Sequence, residues 1–475
     1  MNPFSHVASA TTDTTKTESK SVFAILAICG SAFLVFLDTT IVNISFPSIS
    51  REFAPAGISE LVWVLDAYFV ALAAAIVPAG LWADRLGRKR FFVAGVILFL
   101  IASVACGIAP SWQSLVGARV FQGLAGAVMV STSLALILQL FPSERRATAV
   151  GLWGAAAAVA AATGPPLGGF LVDSGSWRWI FFVNIPIGLF VLYGARKLTE
   201  SRDESATGRP DALGAIEVAA ALGVAALGLT RVPEWGWGSP GFIGCIAAAL
   251  ALTAHVWIRS KHHPEPVFDH EMISKRSFAS GTAGTALFAT AFFAILLANV
   301  LFLTTIWGYS EVQAGLAILP SPIISAIVAA PAGVLADRVG PRWVIFSGTV
   351  FYAVGVLLNR AAGAEAEYLT QFLPGMVLIG VGIGLAFPTL AAAALEEVPD
   401  SRFATAGSLN SASRQVGAVF GTALLVAMLG TEIPTLSDFE DAYLIGVIGS
   451  LAAGACALML NAAPSVVGRA IGDSV

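Results

Sequence analysis

Charge is what this 475-residue chain most lacks: Asp, Glu, Lys and Arg together make up 12% of it, while apolar residues make up 57% and the mean hydropathy is +0.81. A soluble domain carries about 25% charged residues to balance its apolar surface, so a water-soluble fold is excluded, and no nucleic-acid partner is expected. Cysteine is scarce as well. The four present, Cys29, Cys106, Cys245 and Cys456, stand singly inside apolar runs at no metal-binding or redox spacing, which argues against a disulfide framework. The five histidines form no HExxH pattern, and no Ser/His or paired-Asp protease arrangement is visible. An intramembrane enzyme is therefore the weakest functional class considered, and neither a metal nor another cofactor is expected. A GxxxxGK[ST] loop is missing, which leaves nucleotide-driven transport unsupported. Also missing are the ~10-residue alternating segments of a membrane β-barrel.

What the chain does have is apolar stretches of roughly 18 to 28 residues along its whole length, the span of a ~30 Å hydrocarbon core in helical form. They predict about fourteen helices, near 22–46, 59–82, 91–109, 112–139, 147–171, 178–198, 212–231, 240–258, 279–306, 313–335, 343–361, 367–393, 404–429 and 441–462. The fold class is an all-α integral membrane protein. Residues 1–21, polar and rich in Ser and Thr, read as a disordered cytoplasmic tail rather than a cleaved signal peptide. Residues 463–475 read as a second tail. With the N-terminus inside, 20 of the 26 Lys and Arg fall on the cytoplasmic side, against four outside (Arg51, Arg178, Arg231, Arg360). That bias puts both termini in the cytoplasm of a multi-pass cell (plasma or inner) membrane protein. The remaining two, Arg119 and Arg414, fall within helices.

The stretch GLWADRLGRKR (Gly80 to Arg90) returns as GVLADRVGPRW (Gly333 to Trp343), and FPSERRATAVG (Phe141 to Gly151) returns as VPDSRFATAGS (Val398 to Ser408). The chain is internally duplicated. The expected organisation is a six-helix bundle over 22–198, a linker with an inserted helix pair over 199–278, and a second six-helix bundle over 279–462. Parallel halves related by an axis along the membrane normal are the architecture of rocking transporters.

These motifs resemble the major facilitator superfamily, in particular its fourteen-helix branch of drug:proton antiporters, over residues from about 22 to 462. GLWADRLGRKR is similar to the superfamily's signature loop, with Asp84, Arg85, Gly87, Arg88 and Lys89 in place. RVFQGLAGA (Arg119 to Ala127) resembles the fourth-helix motif through Arg119, Gln122, Gly123 and Gly126. GPPLGG, with Gly164, Pro165, Gly168 and Gly169, resembles the fifth-helix motif typical of exporters, and LDTTIVNISFP (Leu37 to Pro47) the first-helix motif of the branch. The second signature loop keeps Asp337 and Arg338, but Pro341 follows Gly340 directly and nothing answers Arg88. Some members of the branch carry acidic residues in helix ten or thirteen; neither predicted helix has one here, which places the coupling chemistry mainly in the first half.

Asp84 and Arg88 have the i, i+4 spacing of an ion pair. A carboxylate near a helix end can also accept hydrogen bonds from the start of a neighbouring helix, so Asp84 and Asp337 are expected to latch the outward-open state. The bland alternative is plain positive-inside topogenesis. Within the bilayer a charge costs ~2.5–3.5 kcal/mol at a helix centre. Asp38, Asp66 and Arg119 fall ~10–12 Å below the outer surface at 1.5 Å per residue, in one layer. Two carboxylates near one guanidinium would let one stay neutralised while the other titrates near neutral pH, as a proton carrier requires; structural pairing is the competing account. Arg414, flanked by Asn410 and Gln415, either lines the cavity or satisfies carbonyls between helices. Asn299 could add a polar lining group. Glu217 and His255, on the inserted pair, are read as peripheral. With Trp63, Tyr68 and Phe36 near the acidic layer, the leading function is proton-coupled efflux of amphipathic compounds, cationic ones among them, by alternating access. The alternative is export of an endogenous metabolite or organic anion clamped by Arg119 and Arg414. The partners are then the small-molecule substrate, protons and the lipid bilayer.

Overall fold

Long apolar runs leave the backbone no partner in lipid except itself, so each closes into a helix. The computed structural model describes residues 5–141, 146–202, 211–398, 403–430 and 434–460, and among these no strand occurs. The helices are α1 (Ser5–Glu52), α2 (Ile58–Leu86), α3 (Arg88–Gly107), α4 (Trp112–Leu140), α5 (Arg146–Asp173), α6 (Trp179–Ala195), α7 (Ala212–Thr230) and α8 (Pro240–Ser260). After them come α9 (Arg276–Thr305), α10 (Glu311–Val339), α11 (Pro341–Arg360), α12 (Tyr368–Leu395), α13 (Phe403–Leu429) and α14 (Leu436–Ala457). Among the described residues 13 of these are long and apolar enough to cross a membrane, and α6 is a shorter apolar helix. The fourteen predicted stretches are thus all helical.

Two differences from the expected boundaries matter. Helical backbone reaches back to Ser5, through polar residues that the sequence suggests are irregular, although only Val22–Glu52 is apolar enough to span. Residues 1–4 and the expected tail 463–475 lie outside the described residues. Second, α10 begins at Glu311, where the Ser310 hydroxyl accepts from the Gln313 amide and caps the helix. Helix ten therefore does carry acidic residues, Glu311 at its first position and Asp337 in its last turn.

The duplication is visible in the packing. In the first six helices α1 packs on α5 and α6, and α4 packs on α2 and α3; in the last six α9 packs on α13 and α14, and α12 on α10 and α11. Both copies of the charged turn are built alike, with Gly87 (φ 112°) and Gly340 (φ 88°) in the region that favours glycine, so one helix ends and the next begins at once. Helices α7 and α8 pair with each other, and α7 rests on both α2 and α13.

The two groups of six meet along two seams, α2 against α13 and α5 against α10. At the second seam the approach is backbone to backbone: a side chain at Gly169 would lie 2.4 Å from the Glu311 carbonyl, and one at Gly315 2.4 Å from that of Pro165. Small residues permit such contact. This contact sits at the end opposite the charged turns. Over Pro320–Val339, nearer the turns, only Ser321 and Ala332 of α10 are buried, and α10 meets α5 chiefly over Glu311–Ile318, so this seam loosens toward the charged-turn end.

Candidate functional site

Arg119 of α4 is fully buried, and so is Asp38 of α1. Their ion pair is the centre of a polar knot in apolar surroundings. One Arg119 Nη donates to Asp38 Oδ2 and to Gln122 Oε1 (2.7 Å), while Nε donates to the Val64 carbonyl of α2 (2.9 Å). Gln122 donates to Asp38 Oδ1 (2.8 Å) and to Ser103 of α3 (3.0 Å). Asn184 of α6 donates to Ser103 (3.2 Å) and Asp38 (3.4 Å). The guanidinium also lies 4.1 Å from the centre of the Tyr68 ring, an attraction worth ~2 kcal/mol when desolvated. Five helices are tied through one carboxylate and one guanidinium. Removing either charge would strand the other, at ~3–5 kcal/mol.

Asp66 shares the depth of this pair but not its company. Its Oδ1 accepts from the Thr422 hydroxyl of α13, across the α2–α13 seam, and its buried Oδ2 has no hydrogen-bond partner among the described residues. The expected trio of two carboxylates around one guanidinium therefore resolves into an ion pair and a separate carboxylate between the two groups. Phe69, three residues on, meets Phe293 of α9 at 5.1 Å between ring centres on the same seam.

Arg414 reaches from α13 to α1, where its guanidinium lies 4.7 Å from the centre of the Phe36 ring. Phe36 in turn meets Trp153 of α5 edge to face at 5.6 Å, and the Trp153 indole donates to Ser133 of α4 (3.0 Å). No carboxylate lies within 4 Å of Arg414 among the described residues. Asn410, one turn before it, is buried with Oδ1 unpartnered among the described residues, as is Oε1 of Gln415. Asn299 accepts from the Tyr443 hydroxyl (2.8 Å) inside the second group.

At the charged turns, Arg88 Nε and Asp84 Oδ1 form the i, i+4 pair (2.6 Å). Asp84 lines an open cleft with Gly80, Ser131 and Thr132 on one side and Thr405 and Ser408 of α13 on the other. Glu200, which sequence reasoning missed, caps α3 at its far-reaching cost in sequence distance, accepting from the backbone amides of Lys89 (3.0 Å) and Arg90 (3.2 Å). A side chain at Gly87 would meet that carboxylate at 2.6 Å. Arg85 and Arg338 stand in the last turns of their helices. At the second turn, burial first and then the like charges of Glu397 and Asp337 push the Glu396 carboxyl above its ordinary range. The two copies thus differ in sign of environment.

In the fifth-helix motif, Gly164 and Gly168 face Thr40, Ile41 and Ile44 of α1, and Gly169 faces α10; the helix is continuous through Pro165 and Pro166. The contact of α5 with α10 is reinforced by Glu311, which accepts from Ser48 (2.7 Å) and pairs with Arg51. Both partners sit at helix ends, where an acid and a base raise no flag in a hydropathy reading. Glu217 pairs with His255 (3.2 Å) between the two helices of the inserted pair.

The sequence profile described as Major Facilitator Superfamily matches residues 28–256 and 281–472. The chain is 35% identical to "Multidrug resistance protein Stp" of Mycobacterium tuberculosis, over 84% of this chain and 74% of that one. It is 30% identical to the "Tetracenomycin C resistance and export protein" of Streptomyces glaucescens, over 86% and 76%. Among solved structures it resembles a D-xylose-proton symporter at a TM-score of 0.65, with 18% identity over 94% of this chain and 99% of that one.

Proposed function

This chain belongs to the major facilitator superfamily and is a multi-pass membrane transporter of small molecules rather than an enzyme; we propose that it exports amphipathic drugs or toxic compounds in exchange for protons, by alternating access. Relatives named for multidrug resistance and for resistance and export support the direction. The observation that carries the coupling is Asp66, a buried carboxylate at the seam between the two groups of six, with one oxygen held by Thr422 and the other unpartnered among the described residues. That free oxygen is the place for a proton. Asp38 and Arg119 pair with each other, with one guanidinium nitrogen (Nη2) unpartnered among the described residues, and hold α1 and α4 as parts of one body, a positioning role.

The positive-inside bias assigns the charged-turn end to the cytoplasm, with both termini on that side. The two groups then touch at the outer end, through Arg51, Glu311 and the Gly169 contact, and a small cleft lies between them at Asp84 on the inner side. Closing that cleft would bring Asp84 against Thr405 and Ser408 in the opening turns of α13, the latch expected of the outward-open state, with Asp337 its weaker counterpart. Arg414 of α13 and Phe36 of α1 meet between the two groups, and transporters of this architecture hold their substrate near the bilayer midplane at that interface. A second reading has specific support here. Asp38 is held by Arg119 and one oxygen of Asp66 by Thr422, while Arg414 has no carboxylate within 4 Å among the described residues, which suits an aromatic anion.

The test is proton movement in inside-out vesicles with an imposed pH gradient, adding amphipathic compounds one at a time. Exchange predicts that a transported compound dissipates the gradient with wild type and not with Asp66→Asn. Dissipation that is equal in the two defeats the coupling assigned to Asp66.

A further inference from the structure

An exchanger has a requirement that binding alone does not meet: the empty, deprotonated carrier must not reorient, because each empty return lets protons run down their gradient unused. The seam residue best placed to enforce this is a threonine. The Thr422 hydroxyl has a single hydrogen and three acceptors in reach, Asp66 Oδ1 across the seam and the carbonyls of Ala418 (2.9 Å) and Val419 (3.1 Å) on its own helix. A mid-helix threonine ordinarily gives that hydrogen to its own i−4 carbonyl. Only an acceptor stronger than a carbonyl draws it away, and an ionised carboxylate is such an acceptor.

We propose that Thr422 is the positioning residue that couples the charge state of Asp66 to the closure of the outer side, tethering α2 to α13 while Asp66 is ionised and releasing them when it is protonated. The inference rests on the reading of Asp66 as the proton carrier. When Oδ2 takes a proton, Oδ1 becomes a neutral carbonyl oxygen, and the Thr422 hydrogen returns to Ala418 on its own helix. The bond across the seam loses its charge-assisted character, and the proton-loaded carrier is free to rock. When the proton leaves to the cytoplasm the bond reforms and holds the outer side shut until substrate is loaded.

Among the described residues Thr422 is the one side chain that hydrogen-bonds Asp66. On α4 and α1, Arg119 and Asp38 are bound to each other; on α13, Arg414 lies two turns from Thr422 and over Phe36; on α9, the neighbour is the Phe293 ring. Tyr68 donates to the Val35 carbonyl (3.4 Å), and beyond α7, Arg231 is held by Glu60 and Glu234. The tether therefore answers to Asp66 alone.

The experiment is proton flux into liposomes of purified protein carrying a trapped pH dye, with an imposed gradient and no substrate, so that no ligand need be known. Thr422→Val keeps the shape and deletes the donor, and it should raise this substrate-free flux about tenfold or more, the factor that corresponds to losing a hydrogen bond to a charged group. Thr422→Ser should stay within about twofold of wild type, since it keeps the donor. If the valine variant does not reach the membrane, Thr422→Ala deletes the same hydroxyl without adding bulk. The pH profile is a second reading: wild-type flux should fall as internal pH rises and Asp66 ionises, and the profile should flatten in Thr422→Val. Unchanged flux and profile in both hydroxyl-less variants, with flux abolished by Asp66→Asn, overturns the tether and leaves the carrier intact. Flux that survives Asp66→Asn overturns the carrier and the tether with it.

Discussion

The same four helix positions in the two halves hold two very different knots. In the first, α1, α3, α4 and α6 contribute Asp38, Ser103, Arg119 with Gln122, and Asn184, all fully buried around an ion pair. In the second, α9, α11, α12 and α14 contribute Asn299, Asn359, Met376 and Tyr443, where the amides of Asn299 and Asn359 point at the Met376 sulfur (3.7 and 3.5 Å) and Tyr443 donates to Asn299 (2.8 Å). One scaffold supports both. Both halves thus carry a polar pin at that point, a charged one in the first and a neutral one in the second. Replacing a buried ion pair by apolar or neutral groups of like volume is often neutral or stabilising.

The largest effect that would sharpen this contrast comes from breaking the charged knot on one side only. Arg119→Met leaves Asp38 buried and unpaired and should cost ~3–5 kcal/mol, read as a lowered thermal midpoint of the detergent-solubilised protein. Changing both partners, Asp38→Asn with Arg119→Met, imitates the second half and should recover most of that loss; a double variant no more stable than Arg119→Met would end the comparison. In the neutral knot, Asn299→Ala strands the buried Tyr443 hydroxyl and should cost ~1–3 kcal/mol, with substrate-dependent proton movement kept. A collapse of coupling there would mean that the second half is not the passive partner. The smallest effect is at the charged turns, where Asp84 has Arg88 and the second copy has like charges around Glu396. A carboxyl raised in the folded state favours folding below its unfolded pKa and loses that contribution as pH rises through the folded value. Glu396→Gln should therefore be neutral in acid and stabilise by at most ~0.5 kcal/mol above the ordinary carboxylate range, since the group is largely exposed. Chemical unfolding at two pH values reads the difference.

Much of the fold is legible in the sequence because length and hydropathy are what a bilayer selects, and all fourteen stretches are helices. The start of α10 is not, because Glu311 and its cap belong to the rim, where hydropathy changes sign. Depth is legible too: counting residues puts Asp38, Arg119 and Asp66 in one layer. Direction around the helix axis is not, and it separates them, turning Asp38 into its own bundle and Asp66 to the seam. Thr422 gives no signal at all, since a threonine in a helix is ordinary. Ser103 and Asn184, polar side chains in apolar runs, offer one that composition can reveal but only packing can assign.

The central claim is that Asp66, and not Asp38, takes up the proton. Infrared difference spectra of the purified protein across a pH step report the carboxyl group that protonates. The account predicts a protonated-carboxyl band that is present in wild type, survives in Asp38→Asn with Arg119→Met, and disappears in Asp66→Asn. A band that survives in Asp66→Asn and disappears when Asp38 is replaced would contradict it.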